Sequence, residues 1–267
     1  MAKYGFIGCG NMGGALVRAA ARSVDAGDIY ISDFDSSKVD ALVAECGVKG
    51  ADNDFVASEC NYIVLGAKPQ VLLTVLLPSI APKLKDRDDF VLVSMAAGIK
   101  IEQITQAVGI NCPVIRIMPN TSAGVGEGMT VYCSNDKVTN CMEEGLLALL
   151  RCSGKLDKLE EKLFDAATSV MSCGPAFAYL FMEALADGGV KCGLPRDKAL
   201  TYAEQMLKGA AATALISGKH PGVLKDQVCS PAGSTIEGVY ALEKGGFRAS
   251  VMDAVVCSYL RNKELGK

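Results

Sequence analysis

Apolar positions follow two different rhythms along this 267-residue chain. Through the first 160 residues, short apolar runs alternate with longer stretches in which apolar side chains recur every three or four positions. The first kind of pattern predicts strands and the second predicts helices with one buried face. Strands are expected at Tyr4–Ile7, Asp28–Ser32, around Val48, and at Tyr62–Leu65, Phe90–Met95 and Pro113–Met118. Another is expected at Gly126–Ser134, and an edge strand at Gly154–Leu159. Tyr62-Ile-Val-Leu65 is apolar at every position, as a central parallel strand covered on both faces must be. Helices are expected between the strands, at Ala15–Ser23, Ser36–Cys46, Asn53–Cys60, Ile101–Val108 and Val138–Cys152. Pro69 ends the fourth strand's exit loop and is also able to start a helix.

From about Lys162 the strand pattern stops. Helices are expected at Leu163–Ser172, Ala176–Cys192, Pro195–Ser217, Ser234–Lys244 and Arg248–Lys263. This change divides the chain into an α/β domain at 1–160 and an all-helical domain at 161–267. The helical half is apolar and rich in small residues, as in Gly209-Ala-Ala-Ala-Thr-Ala-Leu-Ile216. A helix that is apolar on most sides must be buried on most sides, which a hundred residues achieve poorly alone. A twofold homodimer with interlocked helices is therefore expected, with a monomeric bundle as the alternative.

The first strand runs directly into Gly8, Gly10 and Gly13, spaced G-x-G-x-x-G, with a helical pattern behind them. In this strand–turn–helix context the three glycines form a dinucleotide fingerprint: a tight turn, a close approach to pyrophosphate, and close helix packing. The N–H groups at the helix start then face the phosphates. A plain strand-to-helix connection has the same glycines. Asp33 ends the second strand 20 positions after Gly13, where a carboxylate can accept hydrogen bonds from an adenosine ribose. It also fits a turn or helix cap. With these residues the first domain is read as a Rossmann-type doubly wound sheet.

Composition narrows the chemistry. The net charge is −3 and no Lys/Arg block is present, which disfavours nucleic acid or anionic membrane as a partner. No apolar run is expected to approach the 18 residues of a membrane span, and only Met1 to Lys3 precede the first strand, so a cytoplasmic location is expected. Eleven scattered cysteines without a C-x-x-C pair read as reduced, buried residues, and no metal site is expected. The single histidine, His220, stands in Lys-His-Pro-Gly, where a turn or helix start accounts for it.

A second anion cradle is expected at Val228-Cys-Ser-Pro-Ala-Gly-Ser-Thr-Ile236. The N–H groups of Gly233, Ser234 and Thr235 begin a helix and Ser230 and Thr235 add hydroxyls, a set that suits a carboxylate. An ordinary Ser/Thr cap is the alternative. Oxidising an alcohol needs a base, usually His or Lys, and the early turns of the helix from Gly174 have neither. An imine needs less. Its nitrogen arrives protonated, so positioning and one hydrogen bond suffice, and Thr235 can give that bond.

At these residues the chain resembles the pyrroline-5-carboxylate reductases, the family of the last step of proline biosynthesis. Val228 to Leu242, containing Ser-Pro-Ala-Gly-Ser-Thr-Ile-Glu-Gly-Val-Tyr-Ala-Leu, matches the family signature. Gly8–Gly14, Ala67–Pro69, Ala96–Gly98, Met118–Thr121, Gly174–Ala176, Ala184–Lys191 and Gly193–Pro195 match as well. The resemblance implies a Rossmann domain, a helical dimerisation domain and reduction of 1-pyrroline-5-carboxylate to L-proline with NADPH or NADH. It places the substrate carboxylate on the amides of Gly233, Ser234 and Thr235 beside Ser230, and the Thr235 hydroxyl on the ring nitrogen. It lays the cofactor over Gly8, Cys9, Gly10, Asn11, Met12 and Gly13, with Asn53, Ala67, Lys68, Pro69, Ala96, Ala97 and Asn120 along its length. Some members form rings of five dimers.

Asp33 departs from the family pattern. NADPH-preferring members place small hydroxylated or basic residues after the second strand, whereas here Ser-Asp-Phe-Asp offers two carboxylates that repel a 2′-phosphate. NADH is the expected cofactor, with NADPH tolerated. Two other readings stay open on sequence: an NAD-dependent dehydrogenase of a small hydroxy acid, and a non-catalytic protein that senses the dinucleotide.

Overall fold

In the computed structural model, which describes residues 2–265, eight strands form one sheet. They are β1 (Tyr4–Ile7), β2 (Ile29–Ser32), β3 (Lys49–Gly50), β4 (Tyr62–Leu65), β5 (Val91–Ser94), β6 (Val114–Met118), β7 (Gly128–Ser134) and β8 (Gly154–Lys158). Their spatial order is 3-2-1-4-5-6-7-8. All neighbours are parallel except β6 and β7. The chain thus winds outward from β1 in one direction to β3 and in the other to β8, the doubly wound arrangement expected.

Residues along each inner strand alternate between two cores. Phe6, Ile29, Ile31, Val64 and Val93 pack on one side of the sheet. Ile7, Ile63, Leu65 and Leu92 pack on the other. All four residues of β4 are buried, because helices cover both faces of a parallel sheet. The covering helices are α1 (Asn11–Ser23), α2 (Ser36–Cys46), α3 (Asn53–Glu59), α4 (69–84), α5 (Ile101–Val108) and α6 (Asn140–Leu150).

The sequence pattern located Pro69 as a possible helix start but did not reveal α4 behind it. Pro78 and Pro82 interrupt the run, and prolines normally end a helix. Here a π turn at Leu72–Leu76 precedes them and the helix continues to Leu84. Leu72, Leu76, Leu77, Ile80 and Leu84 are all buried against the sheet, and this burial overrides local propensity.

An ion pair between a buried arginine and a partly exposed glutamate anchors the loop after β5. Arg116 of β6 is almost wholly enclosed, donates to Glu161 Oε1 at 3.1 Å, and lies over the Phe164 ring at 4.6 Å. The same carboxylate oxygen accepts from the N–H of Ile101, the first residue of α5, at 2.9 Å.

Beyond β8, short helical turns over 161–172 lead to a second compact unit, Cys173–Ser258. The first unit comprises the chain through Ser172 together with the segment from Tyr259 onward. The second unit contains α7 (Gly174–Lys191), α8 (Arg196–Ser217), α9 (Pro221–Val228), α10 (Ser234–Lys244) and most of α11 (Phe247–Leu265). The short helix α9 escaped the sequence pattern; His220 caps it, its Nδ1 accepting from the N–H of Gly222 at 3.1 Å.

Only Ala186, Ala199 and Ala203 are buried in this unit, while Leu180, Leu215, Ile216 and Met252 lie exposed. An apolar stretch of membrane-spanning length is present, contrary to the sequence expectation. The helical run Glu161–Lys191 contains an 18-residue stretch of mean hydropathy 1.2, long and apolar enough to cross a membrane, and 11% of that stretch is buried. Within that run Phe164 and Ala186 are buried while Val170, Tyr179 and Leu180 lie exposed.

Candidate active site

The glycine turn is shaped by three different contacts. Gly8 has φ +102°, a region where only glycine is unstrained, and its N–H donates to the Ser32 carbonyl at 2.7 Å. Gly13 lies against Gly8, so closely that a Cβ there would be 2.0 Å from the Gly8 carbonyl oxygen. Gly10 is the cap of α1, and a Cβ at Gly10 would meet nothing within 4 Å. Fold packing therefore explains Gly8 and Gly13 but not Gly10. At Gly10 the absence of a side chain leaves space at an uncapped helix start, which suits a pyrophosphate.

Asp33 closes the turn from the side. Its Oδ2 accepts from the Cys9 N–H at 2.6 Å and its Oδ1 from the Asp35 N–H at 2.9 Å. Sequence spacing alone had offered a ribose ligand or a cap; the tertiary structure adds a brace between β2 and the glycine turn. Ser32 Oγ donates to Asn53 Oδ1 at 2.8 Å, which brings the start of α3 to the same edge.

These elements border a groove of 470 Å³ lined by Gly8, Gly10, Asp33, Asn53, Ala67 and Lys68 among the expected residues. Cys9 and Asn11 line a smaller cleft of 200 Å³ beside it, again with Gly10. Met12, Gly13, Pro69, Ala96, Ala97 and Asn120 do not line the groove. Gly13 is beneath the turn, Pro69 begins α4, and Ala96 is buried in the core. The Asn120 amide is a brace, with Oδ1 accepting from Met129 N–H and Nδ2 donating to the Met171 carbonyl.

Other groove residues were not picked out as site residues from the sequence, among them Phe34, Lys38, Val71, Val75, Leu76 and Ser79. Phe34 is fully exposed at the rim, between two aspartates. An aromatic so placed offers a face to a planar base. The signal available beforehand was its position directly after Asp33.

Burial governs the thiol at the turn. Cys9 is pushed up to about 12, first by desolvation and then by the Asp33 carboxylate, so it stays a neutral thiol at physiological pH. All eleven cysteines are free.

In the second unit, Ser230-Pro-Ala-Gly-Ser-Thr leads into α10. Gly233 is the helix cap and no side chain caps the helix, so the N–H groups of its first turn have no hydroxyl or carboxylate partner. By contrast Asp35, Asp52 and Thr139 cap α2, α3 and α6 through their side chains. A Cβ on Gly233 would be 2.3 Å from Ser230 Oγ, so this glycine admits the serine hydroxyl beneath the loop. Among the described residues Ala232 is the one non-glycine at positive φ, 57°, a conformation that costs about 1 kcal/mol and clusters at functional sites. Ser230, Ser234 and Thr235 are exposed. Of the three expected amide donors, Gly233 N–H is taken, donating to the Ser230 carbonyl at 3.1 Å and closing the turn. The N–H groups of Ser234 and Thr235 stay free beside the hydroxyls, a set that binds a carboxylate and can hydrogen-bond a second polar atom.

Residues 161–265 match the family model described as pyrroline-5-carboxylate reductase dimerisation. Residues 3–98 match the model described as NADP oxidoreductase coenzyme F420-dependent. The chain is 42% identical to pyrroline-5-carboxylate reductase of Pisum sativum, over 98% of this chain and 95% of that protein. It is 38% identical to pyrroline-5-carboxylate reductase of Escherichia coli (strain K12), over 99% of this chain and 98% of that one. Among solved structures it is similar to pyrroline carboxylate reductase of Plasmodium falciparum with NADP bound. That match has TM-score 0.87 and 32% identity, over 100% of this chain and 98% of the other.

Proposed function

The chain belongs to the pyrroline-5-carboxylate reductase family, and from that premise we propose which of its residues carry out the reduction of 1-pyrroline-5-carboxylate to L-proline. The nicotinamide cofactor supplies the hydride that adds to the carbon of the C=N bond, while one proton ends on the ring nitrogen. The residues present fit such a cofactor, because Gly10 keeps an uncapped helix start open where a side chain would intrude. Gly8, Gly10, Cys9 and Asn11 hold the pyrophosphate end, Asp33 and Asn53 the adenosine end, and Ala67 and Lys68 the remaining length. Ala96 and Ala97 stand in the turn after β5, whose exit at Ile101 is fixed by Glu161.

Ser230 and the free amides of Ser234 and Thr235 bind the substrate carboxylate, while the Gly233 N–H holds the loop through the Ser230 carbonyl. The Thr235 hydroxyl positions the ring nitrogen, which needs no separate base because the imine is reduced in its protonated form. The single observation that carries this assignment is the α10 start, glycine-capped, without a side-chain cap and preceded by the strained Ala232. Oxidation of NADH or NADPH is expected only when 1-pyrroline-5-carboxylate is added. Turnover of a small hydroxy acid instead, or cofactor binding with no turnover, would return the dehydrogenase or the sensor reading.

We assign NADH as the preferred cofactor, with NADPH tolerated, from the Asp33 carboxylate. Asp33→Ser is expected to raise the ratio of NADPH to NADH kcat/KM roughly tenfold, by removing repulsion of a 2′-phosphate. The substitution also cuts the bond to the Cys9 N–H, so KM rises for both cofactors and the ratio is the informative number. An unchanged ratio removes Asp33 from dinucleotide selection.

The exposed apolar side chains of the second unit support a homodimer as the working form. Light scattering at micromolar concentration is expected to give twice the 28.0 kDa chain mass, or ten times it if dimers close into a ring. A folded species at the monomer mass would refute the assignment. The free state of all eleven cysteines supports a reducing compartment, the cytoplasm.

A further inference from the structure

We propose that Lys38, in the first turn of α2, is the residue that allows the groove to accept a 2′-phosphorylated dinucleotide beside Asp33. This inference rests on reading the groove as the dinucleotide site and goes beyond it by naming the cation that offsets the acidic rim. Asp33 cannot turn away from an incoming phosphate, because both of its oxygens are held by backbone N–H groups, those of Cys9 and Asp35. Lys38 Nζ lies 3.8 Å from Asp33 Oδ1 and 3.6 Å from Asp35 Oδ2. Both distances exceed the 2.7–2.9 Å of a tight charge-assisted hydrogen bond. The ammonium therefore bridges the two carboxylates loosely and leaves one net negative charge on the three groups, where two would stand without it.

Lys38 also borders two spaces at once, the 470 Å³ groove and the 200 Å³ cleft. The other cation of the cleft, Arg18, is locked by Glu45 through two bonds of 2.7 Å. The Lys38 side chain is half exposed and has no such lock. With a 2′-hydroxyl in the groove, Asp33 accepts its hydrogen bond and Lys38 stays between the carboxylates. With a 2′-phosphate, Lys38 rotates onto the phosphate oxygens and screens them from Asp33. Asp33 and Lys38 so act as opposed determinants, one favouring each dinucleotide.

Fluorescence titration of NADH and NADPH against the full-length protein, without substrate, tests this. Lys38→Gln is expected to weaken NADPH binding about tenfold more than NADH binding, and Lys38→Arg to restore the ratio. The salt dependence of NADPH affinity should also become shallower in Lys38→Gln. Lys68→Gln, on the loop after β4, should lower both affinities in similar proportion. Equal losses for both cofactors in Lys38→Gln, or no loss, would overturn the proposal while leaving the groove assignment standing. Failure of the unaltered protein to bind either dinucleotide would remove the groove assignment and this proposal with it.

Discussion

Replacing Thr235 by valine is expected to lower kcat/KM for 1-pyrroline-5-carboxylate by roughly tenfold to a thousandfold, with little change in folding stability. Valine keeps the branched shape and exchanges the hydroxyl for a methyl. Thr235 is at the second position of α10, so the residue four before it is Pro231, outside the helix. Its hydroxyl therefore lacks the carbonyl that Thr105, Thr168, Thr201 and Thr213 each bond one turn back. Folding gains little from the Thr235 hydroxyl, and a large kinetic loss must come from substrate. Thr235→Ser, which keeps the hydroxyl, should recover most of the rate. Steady-state kinetics with a melting curve on each variant decides the matter; near-wild-type kinetics in Thr235→Val would exclude the hydroxyl from the reaction.

The second large effect separates two glycines that look alike in the fingerprint. Gly13→Ala puts a methyl 2.0 Å from the Gly8 carbonyl oxygen, a backbone atom that can move only if α1 shifts off the sheet. Such overpacking costs about 2–3 kcal/mol and spoils the turn, so stability and dinucleotide affinity fall together. Gly10→Ala introduces a methyl that meets no protein atom within 4 Å, at a φ of −64° that alanine adopts freely. Stability should change by less than about 1 kcal/mol, while dinucleotide affinity falls at least tenfold. Denaturant titrations paired with cofactor titrations check both. Full affinity in Gly10→Ala would mean that no ligand approaches this helix start.

The two loops that carry the function were legible to different depths. The fingerprint could be read because its spacing encodes a geometry that only glycine allows, and β1, α1 and β2 appear within a residue or a few of the expected boundaries. In the Ser230–Thr235 loop the residues were legible but their state was not, since Ser230, Ser234 and Thr235 could equally have capped the helix. Only the built loop has Gly233 at the cap and Ala232 in the left-handed region. Asp33 shows the same limit from the other side. Spacing after β2 indicated a ribose ligand, but the hydrogen bond to Cys9 crosses 24 residues and depends on β1 and β2 lying in register.

The sequence by itself determined the parts whose physics is local. Runs of apolar residues between breakers dictate strands, a 3.6-residue recurrence dictates helices, and a signature block identifies the family. The tertiary structure decided what depends on contacts between distant segments. It kept α4 helical through two prolines because five of its side chains had a sheet to cover. It buried Arg116 beside Glu161, 45 residues away, and so fixed the start of α5. At the opening turn it distinguished Gly8 and Gly13, held by backbone packing, from Gly10, held by nothing in the protein. Spacing is a property of the chain, whereas the space around a missing side chain exists only after the chain has folded.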